Sequence, residues 1–401
     1  MKWAGRLLAA AVIAMPAFGA TAQEGPVKIG AVYIMSGAFS TYGEFARNGI
    51  ELAVEEINES GGILGRDVEF KAEDSEAKAN VAIKSMRRLV LEDKVDVLMG
   101  LDSSGVARGV APLMRQFKKP LIITHAATPD VTGKSCNEWV FRDSVNITQN
   151  LRAAADIAKD VGGTRWTTIG PNYAFGHQSW EFFQKYMKEV KPDVELLDPN
   201  FPKFGSEDFK PFINKVMQQD PDGVMVSLWG GDLVNFVRQA ANSGFFDQDF
   251  EVLLTLGGAV EVLNALGDTM PEGVWVGTRY WFDGPQHARN TDFVKAYKAK
   301  FGAAPSYNSQ NAYTAVYAYK QAIEAAGTTE AKAVAEALSG MEMTAPIGTF
   351  KFRAADHQAV VDAFWGKTAA MSADGLRTLD PMKIIPGESV IPSPEETGCS
   401  L

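Results

Sequence analysis

The chain alternates short, continuous apolar runs with longer amphipathic segments, and this alternation constrains its fold more than any other feature. Residues 27–34 form the first apolar run, and residues 45–59 form the first amphipathic segment, with Ala46, Ile50 and Ile57 on one helical face. Continuous apolar strands separated by helices are typical of a parallel sheet that is covered on both faces. The same rhythm predicts further strands at residues 67–73, 95–99, 120–124, 166–170, 194–199, 223–228 and 251–256, and further helices at 78–91, 107–116, 147–160, 176–188, 209–218 and 232–243.

The length of the chain and a break in this rhythm predict two domains. A length of 401 residues exceeds what one hydrophobic core usually serves. The series restarts near residue 147 and changes after residue 278, where helices are predicted at 292–301 and 310–326 and short strands at 348–352 and 360–365. The predicted fold class is therefore α/β, with two doubly wound parallel-sheet lobes.

The first residues predict export. Lys2 and Arg6 precede an apolar run at residues 7–15, and Ala20-Thr21-Ala22 follows before Gln23. This pattern is typical of a cleaved signal peptide, which we place at residues 1–22. An N-terminal membrane anchor is the alternative, but the apolar run is much shorter than the ~20 residues of a spanning helix. We expect a periplasmic mature chain, and no cysteine follows the cleavage site to carry a lipid.

Charge and cysteine content narrow the function further. The formal net charge is −10, and the sequence contains no Lys/Arg cluster. Both features argue against nucleic acid as a partner. Cys136 and Cys399 are the two cysteines of the sequence. In an exported protein such a pair favours a disulfide over a metal or redox site, and a bridge between them would stabilise the fold by roughly 3–5 kcal/mol.

Polar side chains follow several predicted strands of the first half. In doubly wound sheets, ligands bind at the carboxyl ends of the strands, where helix N-termini offer free N–H groups. One such loop contains Asp102, Ser103 and Ser104, and the loop after the neighbouring strand contains Ala126 and Thr128. Small hydroxyl residues at a helix start often only cap the helix. Two such loops side by side nevertheless predict a socket for a carboxylate.

The corresponding loops of the second half carry aromatic side chains. Tyr173 and Phe175 follow the strand that ends at residue 170, and Trp229 follows the strand that ends at residue 228. Tyr280 opens a further aromatic run near the predicted return to the first lobe, and Tyr42 lies in the first loop of the chain. A polar socket in one lobe and an aromatic wall in the other suit a small organic acid.

The sequence offers little for catalysis. It contains no G-x-G-x-x-G dinucleotide cradle, no Walker-type phosphate loop and no G-x-S-x-G nucleophile elbow. Its four histidines lack metal-site spacing, and His125, although in a candidate loop, is expected to be a surface or structural histidine. We predict no catalytic residue, no metal and no cofactor. An exported α/β hydrolase stays an alternative.

Several short motifs together carry a family resemblance over nearly the whole mature chain. In order they are Lys28-Ile29-Gly30, Ser36-Gly37, Tyr42-Gly43, Glu55-Glu56-Ile57-Asn58, Gly61-Gly62-Ile63-Leu64-Gly65-Arg66, Asp93-Lys94-Val95-Asp96, Ser103-Ser104, Ala126-Ala127-Thr128, Phe141-Arg142 and Asp356-His357-Gln358. Each motif is weak alone, but their order and spacing are specific. The chain resembles the leucine/isoleucine/valine-binding family of type I periplasmic solute-binding proteins.

The resemblance implies a clamshell of two lobes joined by a hinge that the chain crosses three times. The implied lobes are discontinuous, with residues 27–146 plus 279–352 in the first and residues 147–278 plus 353–401 in the second. It implies a non-enzymatic receptor that delivers its ligand to the permease of an ABC importer. The acidic charge argues against a nucleic-acid partner, and a monomer is expected because the sequence has no obvious extra interface segment. A periplasmic sensor with a signalling partner uses the same fold and stays an alternative.

The resemblance also assigns site residues. It implies that Ser103 or Ser104, Ala126 and Thr128 hold a ligand carboxylate, that Tyr42 lines the first-lobe side, and that Tyr173 or Phe175 and Trp229 close from the second lobe. It further implies the pairing of Cys136 with Cys399.

The chain departs from the family pattern in one loop. Amino-acid binders of this family usually carry an acidic residue after the strand at residues 251–256, where this chain has Gly257-Gly258-Ala259. An ammonium group buried without an acceptor is costly. Either Asp102 or Glu261 therefore replaces the acidic residue, or the ligand lacks an amine. Aromatic and aliphatic acids are as consistent with the sequence as branched-chain amino acids, with a slight preference for acids without an amine.

Overall fold

The computed structural model describes residue 1 and residues 25–401, so the predicted signal peptide lies outside the described residues, apart from Met1. The strands of the described chain are β1 (Val27–Tyr33), β2 (Val68–Asp74), β3 (Val97–Gly100), β4 (Leu121–Ile123), β5 (Val140–Arg142), β6 (Arg165–Ile169), β7 (Glu195–Leu196), β8 (Gly223–Val226), β9 (Glu251–Leu254), β10 (Trp275–Thr278), β11 (Glu342–Ala345), β12 (Gly348–Lys351), β13 (Ala363–Met371) and β14 (Arg377–Ile385).

The helices connect these strands and cover the sheets. They are α1 (Ser40–Glu59), α2 (Ala79–Leu91), α3 (Ser104–Val110), α4 (Met114–Phe117), α5 (Ile147–Val161), α6 (Ala174–Val190), α7 (Lys210–Gln219), α8 (Gly230–Asn242), α9 (Val260–Leu266), α10 (Ala288–Phe301), α11 (Tyr307–Ala326), α12 (Ala331–Leu338), α13 (Gly387–Val390) and α14 (Pro394–Thr397). The predicted single helix at 107–116 was wrong, because a 3₁₀ turn at Ala111–Leu113 that contains Pro112 separates α3 from α4.

The first lobe is built on a five-stranded sheet with the order β2-β1-β3-β4-β5, and every pairing in it is parallel. In the centre of the sheet, Ile29 lies opposite Phe70 on one side and Val97 on the other. The apolar strand residues are buried because helices cover both faces. This arrangement brings the loops after β1, β3 and β4 to one edge.

The second lobe is built on a seven-stranded sheet with the order β14-β13-β10-β9-β8-β6-β7. Strands β6 to β10 are parallel, and β13 and β14 extend the sheet with antiparallel pairings. A capping box at Asn146 and Gln149 starts α5, the first helix of this lobe. The loops after β6, β8 and β9 share the edge that faces the first lobe.

The chain passes between the two sheets three times, after β5, after β10 and between β12 and β13. The second passage returns the chain to the first lobe, where α11 packs along α1. Arg142 joins the passages, because its buried guanidinium donates to the Ala126 and Thr128 carbonyls and to the side chain of Gln358. The predicted fold class, two parallel-sheet lobes with a three-crossing hinge, is confirmed.

A disulfide joins Cys136, in the first lobe, to Cys399, near the C-terminus, as predicted. The C-terminal segment that carries Cys399 also contacts the second lobe, where Glu396 lies 3.6 Å from the Lys185 ammonium on α6. The Pro392 carbonyl accepts a hydrogen bond from Arg353 at 2.8 Å. The end of the chain is therefore held against both lobes.

Candidate ligand-binding site

A small cavity lies between the facing edges of the two sheets. Its volume is about 10 Å³, which is close to the space that one water molecule needs. The lining residues come from both lobes and from the second passage of the chain between them. They are Asp102, Ser104, His125, Ala127, Tyr173, Phe175, Trp229, Leu256 and Arg279.

The loop after β3 places Asp102 in this cavity with both carboxylate oxygens engaged. Its Oδ2 accepts a hydrogen bond from the Ile34 N–H at 2.5 Å, and its Oδ1 lies 3.2 Å from Nδ1 of His125. Burial raises the pKa of Asp102 to about 7, against the lowering effects of the Ile34 N–H and the Arg279 charge. The carboxyl group is therefore a proton donor or acceptor near neutral pH.

The loop after β4 contributes His125, whose two ring nitrogens both have protein partners. Nδ1 faces Asp102, and Nε2 lies 3.2 Å from the Tyr307 hydroxyl. The Tyr42 ring stacks on the imidazole with the ring centroids 5.1 Å apart. Burial and the Arg279 charge hold the pKa of His125 well below its usual value, so the ring is neutral. His125 is buried, so the expectation of a surface histidine was wrong; its contacts are structural, and it also lines the cavity.

Ser104 begins α3 and presents its hydroxyl to the cavity. Its Oγ accepts a hydrogen bond from the Thr128 N–H at 3.1 Å. The hydroxyl hydrogen of Ser104 is therefore directed away from this contact and can be donated to another group. The two polar loops predicted to lie side by side are thus joined by a hydrogen bond.

Aromatic side chains from the second lobe form the opposite wall. The Trp229 indole N–H donates to the Tyr173 hydroxyl at 3.1 Å, and the Tyr173 and Phe175 ring centroids are 6.3 Å apart. Trp229 also packs edge-on against His125 of the first lobe, at a centroid distance of 5.5 Å. These rings give the cavity one apolar side.

Arg279 supplies a buried positive charge that the sequence analysis did not identify. It follows β10 directly, and its Nη1 donates to the main-chain carbonyl of His125. Its Nε is buried without a hydrogen-bond partner, and within residues 25–401 no carboxylate lies within 4.0 Å of its guanidinium. Burial lowers the pKa of Arg279, although nearby Tyr307 counteracts this effect. The cavity wall therefore carries a cation whose hydrogen-bonding capacity is not filled by the protein.

Six residues of the predicted site lie outside the cavity lining. The Tyr42 hydroxyl accepts a hydrogen bond from the Gly230 N–H at 3.1 Å. Thr128 accepts one from the Asp130 N–H at 3.4 Å, and the Tyr280 hydroxyl donates to Asn290. Ser103 precedes the first residue of α3 and lies beside Tyr173. Ala126 donates its N–H to the Leu101 carbonyl, and a Cβ at Gly257 would lie 2.7 Å from that of Leu254.

Glu261 lies on α9, outside the cavity lining. Its Oε1 accepts a hydrogen bond from Asn308 of the first lobe, and its Oε2 is buried without a partner. Burial raises the pKa of Glu261 to about 7. Glu261 therefore connects the lobes beside the cavity rather than offering its carboxylate within it.

Comparison with known proteins identifies the family. The family model described as "Periplasmic binding protein" matches residues 26–371. The chain belongs to the periplasmic binding protein family. The curated Leu/Ile/Val-binding protein homolog 4 of Brucella melitensis is 25% identical over 403 residues, covering 96% of this chain and 94% of that protein.

Solved structures of periplasmic binding proteins share the fold over most of the chain. An amino acid ABC transporter substrate-binding protein from Pseudomonas fluorescens Pf-5 has a TM-score of 0.84 and 27% identity, covering 94% of this chain and 100% of that one. An ABC transporter solute-binding protein from R. palustris in complex with benzoate has a TM-score of 0.82 and 24% identity, with the same coverages. The resemblance drawn from the sequence motifs is confirmed.

Two further findings concern residues 25–401. That range holds no group of three or more His, Cys, Asp or Glu side chains that could bind a metal ion. None of its helices combines the length and the apolar character that a bilayer crossing requires.

Proposed function

We propose that this periplasmic binding protein is the receptor of an ABC importer and captures a small carboxylate between its lobes. The observation that carries the proposal is the guanidinium of Arg279 at the cavity wall, a buried cation whose Nε has no hydrogen-bond partner and which, among residues 25–401, has no carboxylate within 4.0 Å. Leaving such a charge uncompensated costs free energy, and a guanidinium pairs well with a carboxylate through parallel N–H···O bonds. The relatives named as ABC transporter proteins support the link to import.

The ligand in this proposal is an acid without an amine, with an aromatic or compact aliphatic body. Both oxygens of Asp102 are already engaged, and Glu261 lies outside the cavity lining. An ammonium group would therefore find no free carboxylate in the cavity. The rings of Tyr173, Phe175 and Trp229 offer apolar contact instead, and the benzoate-bound relative from R. palustris is consistent with this class.

The proposed carboxylate contacts differ from the sequence prediction, because they keep Ser104, add Arg279 and leave out Ala126 and Thr128. Arg279 and the hydroxyl of Ser104 contact the carboxylate, while Ser103, Ala126, Thr128 and Gly257 shape the surrounding loops. In the proposed division of the molecule, residues 27–146 plus 279–352 and residues 147–278 plus 353–401 form the two lobes. The ligand enters when the lobes part, and the lining side chains move aside to hold it, because the cavity has a volume of only about 10 Å³.

We also propose that the protein catalyses no reaction. Ser104, His125 and Asp102 all line the cavity, as in a hydrolase triad, but Nε2 of His125 lies 3.2 Å from Tyr307. A triad needs that nitrogen to accept the serine proton. Clean protein should therefore leave 4-nitrophenyl acetate unhydrolysed above the buffer rate, and turnover abolished by Ser104→Ala would contradict the proposal.

The proposed cellular setting is the periplasm. Cleavage after Ala22 is expected to release a monomer that begins at Gln23 and docks on an inner-membrane permease. Mass spectrometry of the exported protein checks the cleavage site, and light scattering checks the monomer. An intact N-terminus would favour the membrane anchor.

A thermal-shift screen of ligand-stripped protein tests the proposed function. A ligand that binds only the folded state raises the melting temperature by mass action. We expect a rise with benzoate or a short aliphatic acid, and none with benzamide at the same concentration, because benzamide has the ring of benzoate without its charge. A rise with leucine but with no amine-free acid would overturn the ligand class, and no rise with any acid would overturn the function.

A further inference from the structure

A loop of the first lobe is inserted among aromatic rings of the second lobe, beside the ligand cavity but outside its lining. The loop is the 3₁₀ turn Gly37–Phe39, which follows β1. Phe39 at its end is buried. Its ring stacks on Phe204 with the centroids 4.7 Å apart, and it contacts Trp229 at 4.5 Å. Both partners belong to the second lobe.

Two glycines at the start of α8 make this insertion possible. A Cβ at Gly230 would lie 2.5 Å from Cδ1 of Phe39, and a Cβ at Gly231 would lie 2.6 Å from the Ala38 carbonyl oxygen. The Gly230 N–H also donates to the Tyr42 hydroxyl at 3.1 Å. The contact therefore combines ring stacking, a buried hydrogen bond and close backbone approach.

These contacts join the lobes but do not belong to the cavity. Phe39, Phe204, Gly230 and Gly231 are absent from its lining, whereas Trp229 is part of both surfaces. A contact made only when the lobes are together favours the closed form for every ligand alike. It changes the affinity through the closed population and not through recognition.

We propose that Phe39 and the Gly230-Gly231 pair form a closure latch, in which Phe39 is a positioning residue that sets affinity without contacting the ligand. This inference rests on the proposed function in one respect, namely that ligand binds between closing lobes. The latch stabilises the closed form, and the cavity residues determine which ligand is held.

Gly231→Ala is the sharpest test, because the added methyl group collides with the first lobe when the lobes are closed. Alanine is also a better helix former than glycine, so the variant is not expected to unfold. Phe39→Ala removes the ring from the other side, and Phe39→Leu restores part of its bulk. Phe117→Ala is the matched control, because it removes a half-buried ring on α4 of the first lobe.

Titration calorimetry with benzoate and with butanoate measures the effect. In each of the variants Gly231→Ala and Phe39→Ala, we expect the affinities for benzoate and for butanoate to fall by the same factor. The expected loss is roughly 10- to 100-fold, the range that a forced close contact such as that in Gly231→Ala gives. Phe39→Leu should recover part of the loss, and Phe117→Ala should bind as the wild type does. Unchanged affinity, or a loss that differs severalfold between the two acids, would overturn the latch.

Small-angle scattering of ligand-free protein separates this proposal from the proposed function. We expect a larger radius of gyration for Gly231→Ala than for the wild type, and an equal radius would overturn the latch. If the wild type binds neither acid, the proposed function fails, while the scattering result still decides whether the latch holds the lobes together.

Discussion

Oδ1 of Asp102 lies 3.2 Å from Nδ1 of His125, and both side chains are buried between the lobes. Burial raises the pKa of Asp102 from 3.8 to about 7. The folded protein therefore holds a proton on Asp102 at pH values where the unfolded chain has released it. Between about pH 4 and pH 7 the folded state binds more protons, so this group makes the protein less stable as the pH rises.

Asp102→Asn should remove this pH dependence while keeping an oxygen that accepts the Ile34 N–H. The wild type loses stability through Asp102 as the pH rises, and the variant does not. The free energy of unfolding of the variant minus that of the wild type should therefore increase by roughly 4 kcal/mol from pH 4 to pH 7.5, since each pKa unit corresponds to about 1.4 kcal/mol. Urea unfolding at the two pH values measures the difference. Asp249→Asn, at an exposed carboxylate, is the control. An equal stability difference at both pH values would show that Asp102 ionises normally.

Arg279→Met should abolish most carboxylate binding. Truncating one partner of a buried charged pair typically costs about 2–5 kcal/mol, which predicts at least a 30-fold loss of affinity for benzoate. Arg279→Lys keeps the charge but lacks the planar guanidinium, so its affinity for benzoate should lie between those of the wild type and Arg279→Met. Arg289→Met removes a half-buried guanidinium that lies 4.3 Å from the Tyr317 ring centre, and it should bind normally. Wild-type affinity in Arg279→Met would place the carboxylate elsewhere.

Ser104→Ala and Thr128→Ala compare the two hydroxyls of the predicted socket. Ser104 lines the cavity and keeps its hydrogen for a ligand, whereas Thr128 lies outside the lining and caps the turn Pro129–Thr132. We expect Ser104→Ala to weaken carboxylate affinity by about 1.5–3 kcal/mol and Thr128→Ala to weaken it less. Calorimetry with benzoate measures both. The reverse order would show that Thr128 is the direct carboxylate ligand.

Trp229→Ala should change selectivity as well as affinity. Its ring forms part of the apolar wall, so benzoate should lose more affinity than butanoate. Tyr280→Phe serves as the control, because the Tyr280 hydroxyl donates to Asn290 outside the cavity lining. Equal losses for the two acids in Trp229→Ala would leave Trp229 a closure residue only.

Much of the site follows from a rule about parallel sheets. The apolar runs locate the strands, and the loops at their carboxyl ends contain Asp102, Ser104, Tyr173 and Trp229, which the structure brings to one cavity. The local pattern was sufficient here because each of these residues lies in the loop directly after a strand that consecutive apolar residues identify.

Arg279 was not predicted as a site residue because strand β10, which it follows, was not predicted from the sequence. Strand β10 has the sequence Trp-Val-Gly-Thr, which is short and contains a glycine, and its partner β13 lies about 90 residues away. The role of His125 is equally non-local, since its contact with Tyr307 spans 182 residues.

Helix α1 begins at Ser40, five residues before the predicted start. The prediction began too late because Gly43 interrupts the apolar pattern from which the helix was predicted. A Cβ there would lie 2.2 Å from the Ile34 carbonyl oxygen.

The bond between Cys136 and Cys399 changes the covalent topology of the molecule. It closes a ring of chain, and every strand of the second sheet, from β6 to β14, lies within that ring. One proteolytic cut anywhere in the ring opens it without producing two molecules. The fragments separate only when the cut chain is also reduced, so the second lobe withstands a single backbone break as one covalent unit.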